Sequence, residues 1–377
     1  MIIGVVKETF PGENRVSLIP TSADKLIKKG AQIQIESGLG SSINISDEEY
    51  IKVGVTIKSR DEVLGSSDIL MRLRKPEPSE LLKIKKGAIH ISFLDPFNEK
   101  ELVNDFAKNN ISAISIEMIP RTTLAQKMDA LSSQANLAGY VTIILAAERL
   151  NKILPMMMTP SGTISPAHVF IIGAGVAGLQ AIATAKRLGA RVEAFDTRAV
   201  VEEQVQSLGA KFVKVDLGET GQTKDGYAKA LTAEQMKMQQ DAMAKVCAKS
   251  DIVVTTAQLF GRAAPTIITR EMIASMKKGS IIVDMAVETG GNVEGSELDK
   301  EVVIDGVTVI GLGNLPGRVC DNASQMYSNN LTNLIESYWD VENKTFNLDL
   351  EDEIIKGCLI THKSELVNQR IKDFYTQ

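Results

Sequence analysis

The sequence predicts an α/β protein made of two doubly wound, parallel-sheet domains joined by long helices. Short β-like runs alternate with helical patterns over residues 1–130. Residues 169–195 then read as a strand, a glycine-rich turn, a helix and a second strand. Two longer helical stretches, 137–150 and 323–339, are expected to join the domains. The predicted domains are residues 1–136 with 323–377, and residues 137–322, both Rossmann-like.

The first domain is predicted from strands that are separated by helical segments. Apolar runs of strand length occur at residues 2–6, 32–36, 69–73, 88–93 and 111–115, and residues 22–29 have a helical pattern. Strands that alternate with helices are typical of βαβ units, in which the strands run parallel. This part of the chain has no G-x-G-x-x-G motif of its own.

The glycine-rich turn at residues 173–178 carries the main functional signal. It reads Gly-Ala-Gly-Val-Ala-Gly, directly after an apolar run and directly before a helical segment at 179–188. In such a turn Gly173 lets the chain bend sharply, Gly175 lets the backbone approach a diphosphate, and Gly178 lets helix and strand pack closely. The helix N-terminus offers free N–H groups and a positive dipole end to the phosphates. We expect a dinucleotide to bind at Gly173, Gly175, Val176, Ala177 and Gly178.

An acidic residue at the end of the next strand indicates which dinucleotide binds. Asp196 follows the predicted strand 191–195, and it lies about 20 residues after the glycines, where a carboxylate accepts hydrogen bonds from the adenosine ribose. Arg198 suggests the alternative, because an arginine nearby can accommodate a 2′-phosphate. The carboxylate lies closer to that site and repels a phosphate, so the predicted cofactor is NAD(H).

The rest of the second domain contains predicted strands at 212–215, 252–255, 280–284 and 307–310. Between the first two of these strands lies a polar segment, 216–228, which includes three glycines. Loops of this length are uncommon in compact domains and are often lids over a ligand. A merely disordered insertion fits the composition equally well.

The composition excludes several classes of protein. With 44% hydrophobic and 24% charged residues, the chain has an ordinary globular composition. Its formal net charge of −5 gives no basis for a nucleic-acid partner. Cys247, Cys320 and Cys358 lack disulfide or metal-ligand spacing, so we expect no metal site and a reducing cytoplasm. Polar residues or prolines interrupt the charge-poor stretches 130–147 and 153–185, and neither is expected to span a membrane.

The histidines identify no proton donor. Reduction of a carbonyl or an imine by hydride also requires a general acid, usually His or Lys. His90 lies in the apolar strand 88–93 and is predicted to be a satisfied core residue, while His168 and His362 lie on no catalytic motif.

Several segments distributed along the chain resemble a single enzyme family. Residues 120–140 read Pro-Arg-Thr-Thr-Leu-Ala-Gln-Lys-Met-Asp-Ala-Leu-Ser-Ser-Gln-Ala-Asn-Leu-Ala-Gly-Tyr. Further matching segments are residues 159–166, 173–178, 195–198, 226–229 and 348–357. Together these resemble the peripheral NAD(H)-binding component, or domain I, of proton-translocating NAD(P) transhydrogenases. The resemblance covers essentially the whole chain.

By this resemblance, the loop in residues 120–140 holds the nicotinamide end of NAD(H). The implied catalytic residues are Arg121, Gln126, Asp129, Ser132 and Tyr227. The loop aspartate and serine orient the carboxamide and ribose region, and the glutamine reaches towards the partner nucleotide. The tyrosine belongs to a mobile loop that closes over bound nucleotide. Thr197 and Arg198 extend the adenosine-side motif of Asp196.

A purely structural interpretation of this loop competes with the functional one. Arg121 and Asp129 would form a surface ion pair worth less than ~1 kcal/mol, with Gln126 merely solvated. One departure from the family is Leu124, which stands where many members carry a second arginine. The position of the polar cluster directly before a long helix favours a functional cleft.

The resemblance also implies partners and a location. NADP(H) would bind on a partner subunit, and a membrane-spanning subunit would translocate the protons. The chain would form a homodimer in the cytoplasm, peripheral to the inner membrane through its partners. A non-catalytic NAD-binding protein on the same fold is a further alternative.

The main rival enzyme is alanine dehydrogenase, which is similar in fold and shares the pattern at residues 7–8 and 13–16. Arg74 stands where that family has a lysine, and Asp95 stands where it has its catalytic histidine. A site that reduces an oxo acid needs its proton donor. Transfer between two nicotinamides moves no proton, so these replacements favour a transhydrogenase.

Overall fold

The chain folds into two α/β units, which the computed structural model describes over residues 1–215 and 232–376. The first unit comprises Met1–Gln134 and Val319–Gln377, and the second comprises Ala135–Arg318. The predicted lid, 216–228, and its Tyr227 lie outside the described residues.

The secondary structure of the described residues follows in chain order. The α-helices are α1 (Pro20–Lys28), α2 (Asp47–Lys52), α3 (Arg60–Ser66), α4 (Lys100–Lys108), α5 (Ala130–Arg149), α6 (Val176–Arg187), α7 (Glu202–Ser207), α8 (Ala233–Cys247), α9 (Arg270–Ala274), α10 (Cys320–Tyr338), α11 (Glu353–Cys358) and α12 (Gln369–Thr376). The strands are β1 (Ile2–Val5), β2 (Gln32–Glu36), β3 (Thr56–Lys58), β4 (Ile69–Met71), β5 (Ile89–Ser92), β6 (Ser112–Ser115), β7 (Met157–Thr159), β8 (Gly162–Ile164), β9 (His168–Ile172), β10 (Arg191–Phe195), β11 (Lys211–Phe212), β12 (Ile252–Thr255), β13 (Ile281–Asp284), β14 (Lys300–Ile304), β15 (Val307–Gly311), β16 (Trp339–Asp340), β17 (Thr345–Phe346), β18 (Leu359–His362) and β19 (Glu365–Leu366). Short 3-10 turns occur at Ser41–Ile43, Pro78–Leu82, Ile116–Met118, Gln126–Met128, Ala199–Val201, Val287–Thr289 and Leu315–Val319.

The sheet of the first unit is parallel except at one edge. Its strand order is β19-β18-β6-β5-β4-β1-β2-β3. Strands β1 to β6 pair in parallel, whereas β18 runs antiparallel to β6 and β19 antiparallel to β18. The sequence did not predict this antiparallel edge.

The sheet of the second unit has the order β11-β10-β9-β12-β13-β15-β14, and only β14 runs antiparallel to its neighbour. Alternate residues of β9 enter two different cores: Val169 and Ile171 lie in one cluster, and Phe170 and Ile172 in the other. A parallel sheet covered on both faces needs such an unbroken apolar run. The predicted doubly wound α/β fold class is therefore confirmed.

The order of this second sheet also locates a crevice. The strand order reverses between β9 and β12, and open α/β sheets bind ligands outside the carboxyl ends of the strands at such a reversal. The glycine-rich turn directly follows β9, so it lies at this point.

Helix α5 begins earlier than predicted, at Ala130 instead of residue 137. Of the described residues, it is the one helix that is long and apolar enough to cross a membrane by length and composition. The mean hydropathy of its most apolar window is 1.3, and half of that window is buried inside the protein. A core helix of a protein outside the membrane passes the same test.

His90 lies in the core, as predicted, but it is not a satisfied residue. Its side chain has no solvent exposure, its ring packs 5.1 Å from that of Phe106, and neither ring nitrogen has a hydrogen-bond partner among the described residues. Burial lowers the pKa of His90 well below 6.5, and the nearby charge of Arg72 lowers it further. His90 is therefore neutral near pH 7.

Candidate dinucleotide site

The turn after β9 requires glycine at two positions. Gly173 has a φ of +98°, and a Cβ atom there would lie 2.3 Å from Oγ1 of Thr256. At Gly178 a Cβ atom would lie 1.8 Å from the carbonyl oxygen of Gly173. Side chains at these positions would therefore force the turn and helix α6 away from the sheet.

Gly175 differs from these two glycines because it faces open space. The nearest atom to a Cβ built there is Nη2 of Arg198, 4.0 Å away. Gly175 is also the N-cap residue of α6, and having no side chain it leaves this helix end without a side-chain cap. The N–H groups of the first turn are thus available to an anion, which the helix dipole also favours. A dinucleotide diphosphate fits this combination of open space and backbone donors.

Asp196 follows β10 and accepts hydrogen bonds from within the protein. Its Oδ2 accepts from the backbone N–H of Ala174 at 2.8 Å and from Nη2 of Arg198 at 2.8 Å. Its Oδ1 accepts from the backbone N–H of Arg198 at 2.8 Å and from its Nε at 2.9 Å. Hydrogen bonding to Asp196 raises the pKa of Arg198. The predicted ribose acceptor and the predicted neighbouring arginine therefore form one ion pair, with the partly buried Thr197 between them in the chain.

Thr256, directly after β12, is a functional candidate that the sequence analysis missed. Its hydroxyl lies 3.2 Å from the carbonyl oxygen of Ile172 and 3.1 Å from that of Gly173, in donor geometry. Its hydroxyl thus connects the glycine-rich turn after β9 to the loop after β12, on the other side of the crevice. Its position directly after the predicted strand 252–255 was the feature of the sequence that could have identified it.

A buried pair of polar residues supports the loops on that other side. Asp284 accepts hydrogen bonds from the backbone N–H groups of Ala286, Asn292 and Val293. The Asn292 side chain donates to the carbonyl oxygen of Ala257 at 2.9 Å and to that of Pro265 at 2.8 Å. Both side chains are fully buried, so they fix the loop after β12 instead of contacting a ligand.

In the first unit, Asp129 caps the N-terminus of helix α5 and Ser132 donates to it. The Asp129 carboxylate accepts from the backbone N–H of Ser132 at 2.8 Å and from its hydroxyl at 2.6 Å. Nε of Arg121 lies 4.0 Å from the same carboxylate. This N-terminal cap explains why the helix begins at Ala130. The structure thus brings Arg121, Asp129 and Ser132 close together. Helix capping alone explains the contact between Asp129 and Ser132.

The 3-10 turn Gln126–Met128 is held by helix α10. The carbonyl oxygen of Lys127 accepts hydrogen bonds from the side-chain amides of Asn330 and Asn333, both at 3.0 Å. Asn330 also accepts from the Ser133 hydroxyl at 2.7 Å. Gln126 is exposed, so its backbone is anchored while its side chain faces solvent.

Comparison with known proteins identifies the family. Models described as "Alanine dehydrogenase/PNT, N-terminal domain" and "Alanine dehydrogenase/PNT, C-terminal domain" match residues 4–138 and 142–369. The chain is 43% identical to an NAD(P) transhydrogenase subunit alpha protein of Rickettsia prowazekii, over 100% of this chain and 98% of that protein. This chain belongs to the alanine dehydrogenase/PNT family, among the NAD(P) transhydrogenase alpha subunits.

Solved structures agree with this family assignment. A transhydrogenase from Sinorhizobium meliloti has a TM-score of 0.86 and 39% identity, covering 98% of this chain and 100% of that one. An L-alanine dehydrogenase has a TM-score of 0.82 and 23% identity, covering 100% and 99%, and shares the fold. The enzyme family predicted from the sequence is confirmed.

Arg74 and Asp95, which the sequence analysis placed at the positions of the alanine dehydrogenase lysine and histidine, each contact neighbouring side chains. Nε of Arg74 lies 2.9 Å from the carboxylate of Glu13, which also binds Arg15 at 2.6 Å. Asp95 accepts a hydrogen bond from the Asn98 amide at 2.9 Å, and burial raises the pKa of Asp95.

Proposed function

We propose that this chain is the NAD(H)-binding subunit of a proton-translocating transhydrogenase. It would pass hydride directly from NADH to NADP⁺ bound on a partner subunit, and a membrane partner would couple the transfer to proton translocation. The observation that carries the proposal is the glycine-rich turn with its uncapped helix N-terminus, in a chain 43% identical to a transhydrogenase alpha subunit. The relatives' designation as a subunit supports the existence of partner subunits.

The predicted site residues have consistent roles in this reaction. The first turn of α6 would bind the diphosphate, and Asp196 would bind the adenosine ribose. Arg121, Asp129 and Ser132 would orient the nicotinamide end, and Gln126 would contact the partner nucleotide. When bound, the two nicotinamides supply the hydride donor and acceptor. The protein's contribution is then to position them.

The first prediction concerns nucleotide selectivity. We expect the purified chain to bind NADH at least about ten times more tightly than NADPH, because the Asp196 carboxylate disfavours a 2′-phosphate. Fluorescence titration with the two reduced nucleotides measures this ratio. Asp196→Asn should reduce the ratio, and equal affinities in the unmodified chain would contradict the prediction.

The second prediction separates this function from alanine dehydrogenase. With NADH, pyruvate and ammonium the chain should show no turnover, because Arg74 and Asp95 replace the lysine and histidine of that enzyme. Mixed with a transhydrogenase NADP(H)-binding component and NADPH as the hydride donor, it should reduce a chromophoric NAD analogue rapidly. Pyruvate reduction at an ordinary dehydrogenase rate would favour the rival enzyme. Nucleotide binding without either reaction would favour a non-catalytic NAD-binding protein.

A third prediction is that the chain forms a symmetric homodimer. Large apolar side chains are concentrated on the surface of helix α5 and the β7–β8 hairpin. They are Tyr140, Ile144, Met156, Met157, Met158 and Ile164, all exposed by 38% to 74%. Exposed apolar surface of this kind marks interfaces, and two-fold dimers are the commonest oligomers. This surface supports a dimer, while the cytoplasmic location peripheral to the inner membrane is inferred from the relatives alone.

Light scattering at micromolar concentration tests the dimer. Met158→Lys should shift the mass towards the monomer, since a charge in an apolar interface costs desolvation energy. Leu82→Lys is the control, because Leu82 is similarly exposed but belongs to the first unit, away from these side chains in the sequence. A monomeric unmodified chain would contradict the prediction.

A further inference from the structure

The ion pair between Asp196 and Arg198 uses the full acceptor capacity of the carboxylate. Among the described residues, four hydrogen bonds reach its two oxygens, three of them from Arg198 and one from the backbone of Ala174. A carboxylate offers about four acceptor positions. Both side chains are mostly buried, with 6% of Asp196 and 16% of Arg198 exposed. The pair is therefore a well-formed fork at the edge of the glycine-rich turn.

A dinucleotide needs the same acceptors. The ribose hydroxyls of an NAD-type cofactor donate to the carboxylate that ends the second strand. Two of the four present donors are backbone N–H groups, those of Ala174 and Arg198, whose positions are fixed by the turn and the chain. The other two, the guanidinium donors Nε and Nη2, belong to a side chain that rotates. The guanidinium is therefore the donor that can leave the carboxylate when a ribose binds.

The guanidinium of Arg198 lies close to the expected position of the diphosphate. Nη2 lies 4.0 Å from the point where a Cβ atom of Gly175 would be. Gly175 borders the open space in front of the α6 N-terminus, which fits a diphosphate. Arginine binds phosphate oxygens with the same planar fork that it uses for carboxylates. Rotation of the side chain would let the guanidinium leave the carboxylate and contact a phosphate at this position.

We propose that Arg198 changes partner when a dinucleotide binds: it binds Asp196 in the free protein and the diphosphate in the complex. This inference rests on the proposed function, because it assumes that a dinucleotide binds at this turn. It gives Arg198 two opposite effects. The arginine competes with the ribose for Asp196, and it attracts the phosphates.

Ligands with and without phosphates separate these two effects. In Arg198→Gln, adenosine should bind about 3- to 10-fold more tightly, because Asp196 is released from the arginine. ADP-ribose should bind about 10-fold more weakly, because a charge-assisted phosphate contact is lost. Competition against NADH fluorescence measures both dissociation constants. Arg187→Gln is the matched control, since Arg187 is exposed in the last turn of α6, at the end opposite the glycine turn, and both affinities should be unchanged.

Changes of opposite sign for the two ligands support the proposal. Equal weakening of both ligands would mean that Arg198 only positions Asp196, and unchanged affinities would mean that it has no role; either result overturns it. If Arg198→Gln does not fold, Arg198→Lys serves instead. That variant keeps the charge but not the fork, so it should bind adenosine more tightly and ADP-ribose nearly as the unmodified chain does. Failure of the unmodified chain to bind NADH would refute the proposed function itself.

Discussion

Replacing Gln126 by Asn is expected to slow hydride transfer to a partner-bound nicotinamide on the order of 100-fold, with little change in NADH affinity. The side chain becomes one methylene shorter. The backbone cannot move forward to compensate, because Asn330 and Asn333 hold the carbonyl oxygen of Lys127 in the same turn. Small displacements at a reacting centre cost large factors in rate, whereas an exposed side chain contributes little to NADH binding.

The measurement mixes the chain with a transhydrogenase NADP(H)-binding component and follows a chromophoric NAD analogue. Gln32→Asn is the matched control, because it makes the same chemical change at another exposed position of the first unit, at the start of β2. It should leave the rate unchanged. An unaltered rate in Gln126→Asn would remove Gln126 from its proposed role without altering the family assignment.

The dinucleotide turn was predictable because its signal is local. Strand, three glycines and helix follow one another within residues 168–187. The positive φ of Gly173 and the close contact at Gly178 arise within the turn itself, whereas the close contact at Gly173 is with the distant Thr256. The unbroken apolar strands were predictable for a similar reason, since a sheet covered on both faces needs them. These signals also sufficed for the fold class.

Features that depend on distant pairing were not predictable. Nothing in the sequences of the antiparallel strands β14, β18 and β19 specifies their neighbours. Helix α5 was predicted only from residue 137, whereas it begins at Ala130, directly after its N-terminal cap Asp129. Residues 216–228, with Tyr227, lie outside the described residues, and their role as a lid remains a prediction.

The site itself was predictable in residue identity but not in its contacts. Asp196 and Arg198 could be named from the motif, yet the motif gave no sign that they pair with each other in the free protein. The anchoring of the Gln126 turn by helix α10 connects residues that are 203 and 206 positions apart in sequence. Such contacts emerge only from the fold.

Gly139→Ala is expected to destabilise the second unit by about 1–3 kcal/mol, because overpacking has a cost of this size. It should also weaken NADH binding at least about tenfold, because small misplacements of a binding group are costly. A Cβ atom at Gly139, in helix α5, would lie 2.2 Å from the carbonyl oxygen of Ala177. The nearest atoms are all backbone of Ala177, the second residue of α6, so no side chain can rotate away. The helix end that would bind the diphosphate must therefore shift.

Gly65→Ala provides the control of opposite sign for this final prediction. Gly65 lies in helix α3, and the nearest atom to its Cβ position is the carbonyl oxygen of Lys83 at 3.7 Å, an ordinary contact. Alanine there should stabilise the protein by about 0.5–1 kcal/mol, since glycine loses more conformational entropy in a helix. Thermal unfolding and NADH titration of both variants measure the contrast. If Gly139→Ala matched Gly65→Ala in stability and kept full NADH affinity, close contact between α5 and the start of α6 would not control the dinucleotide site.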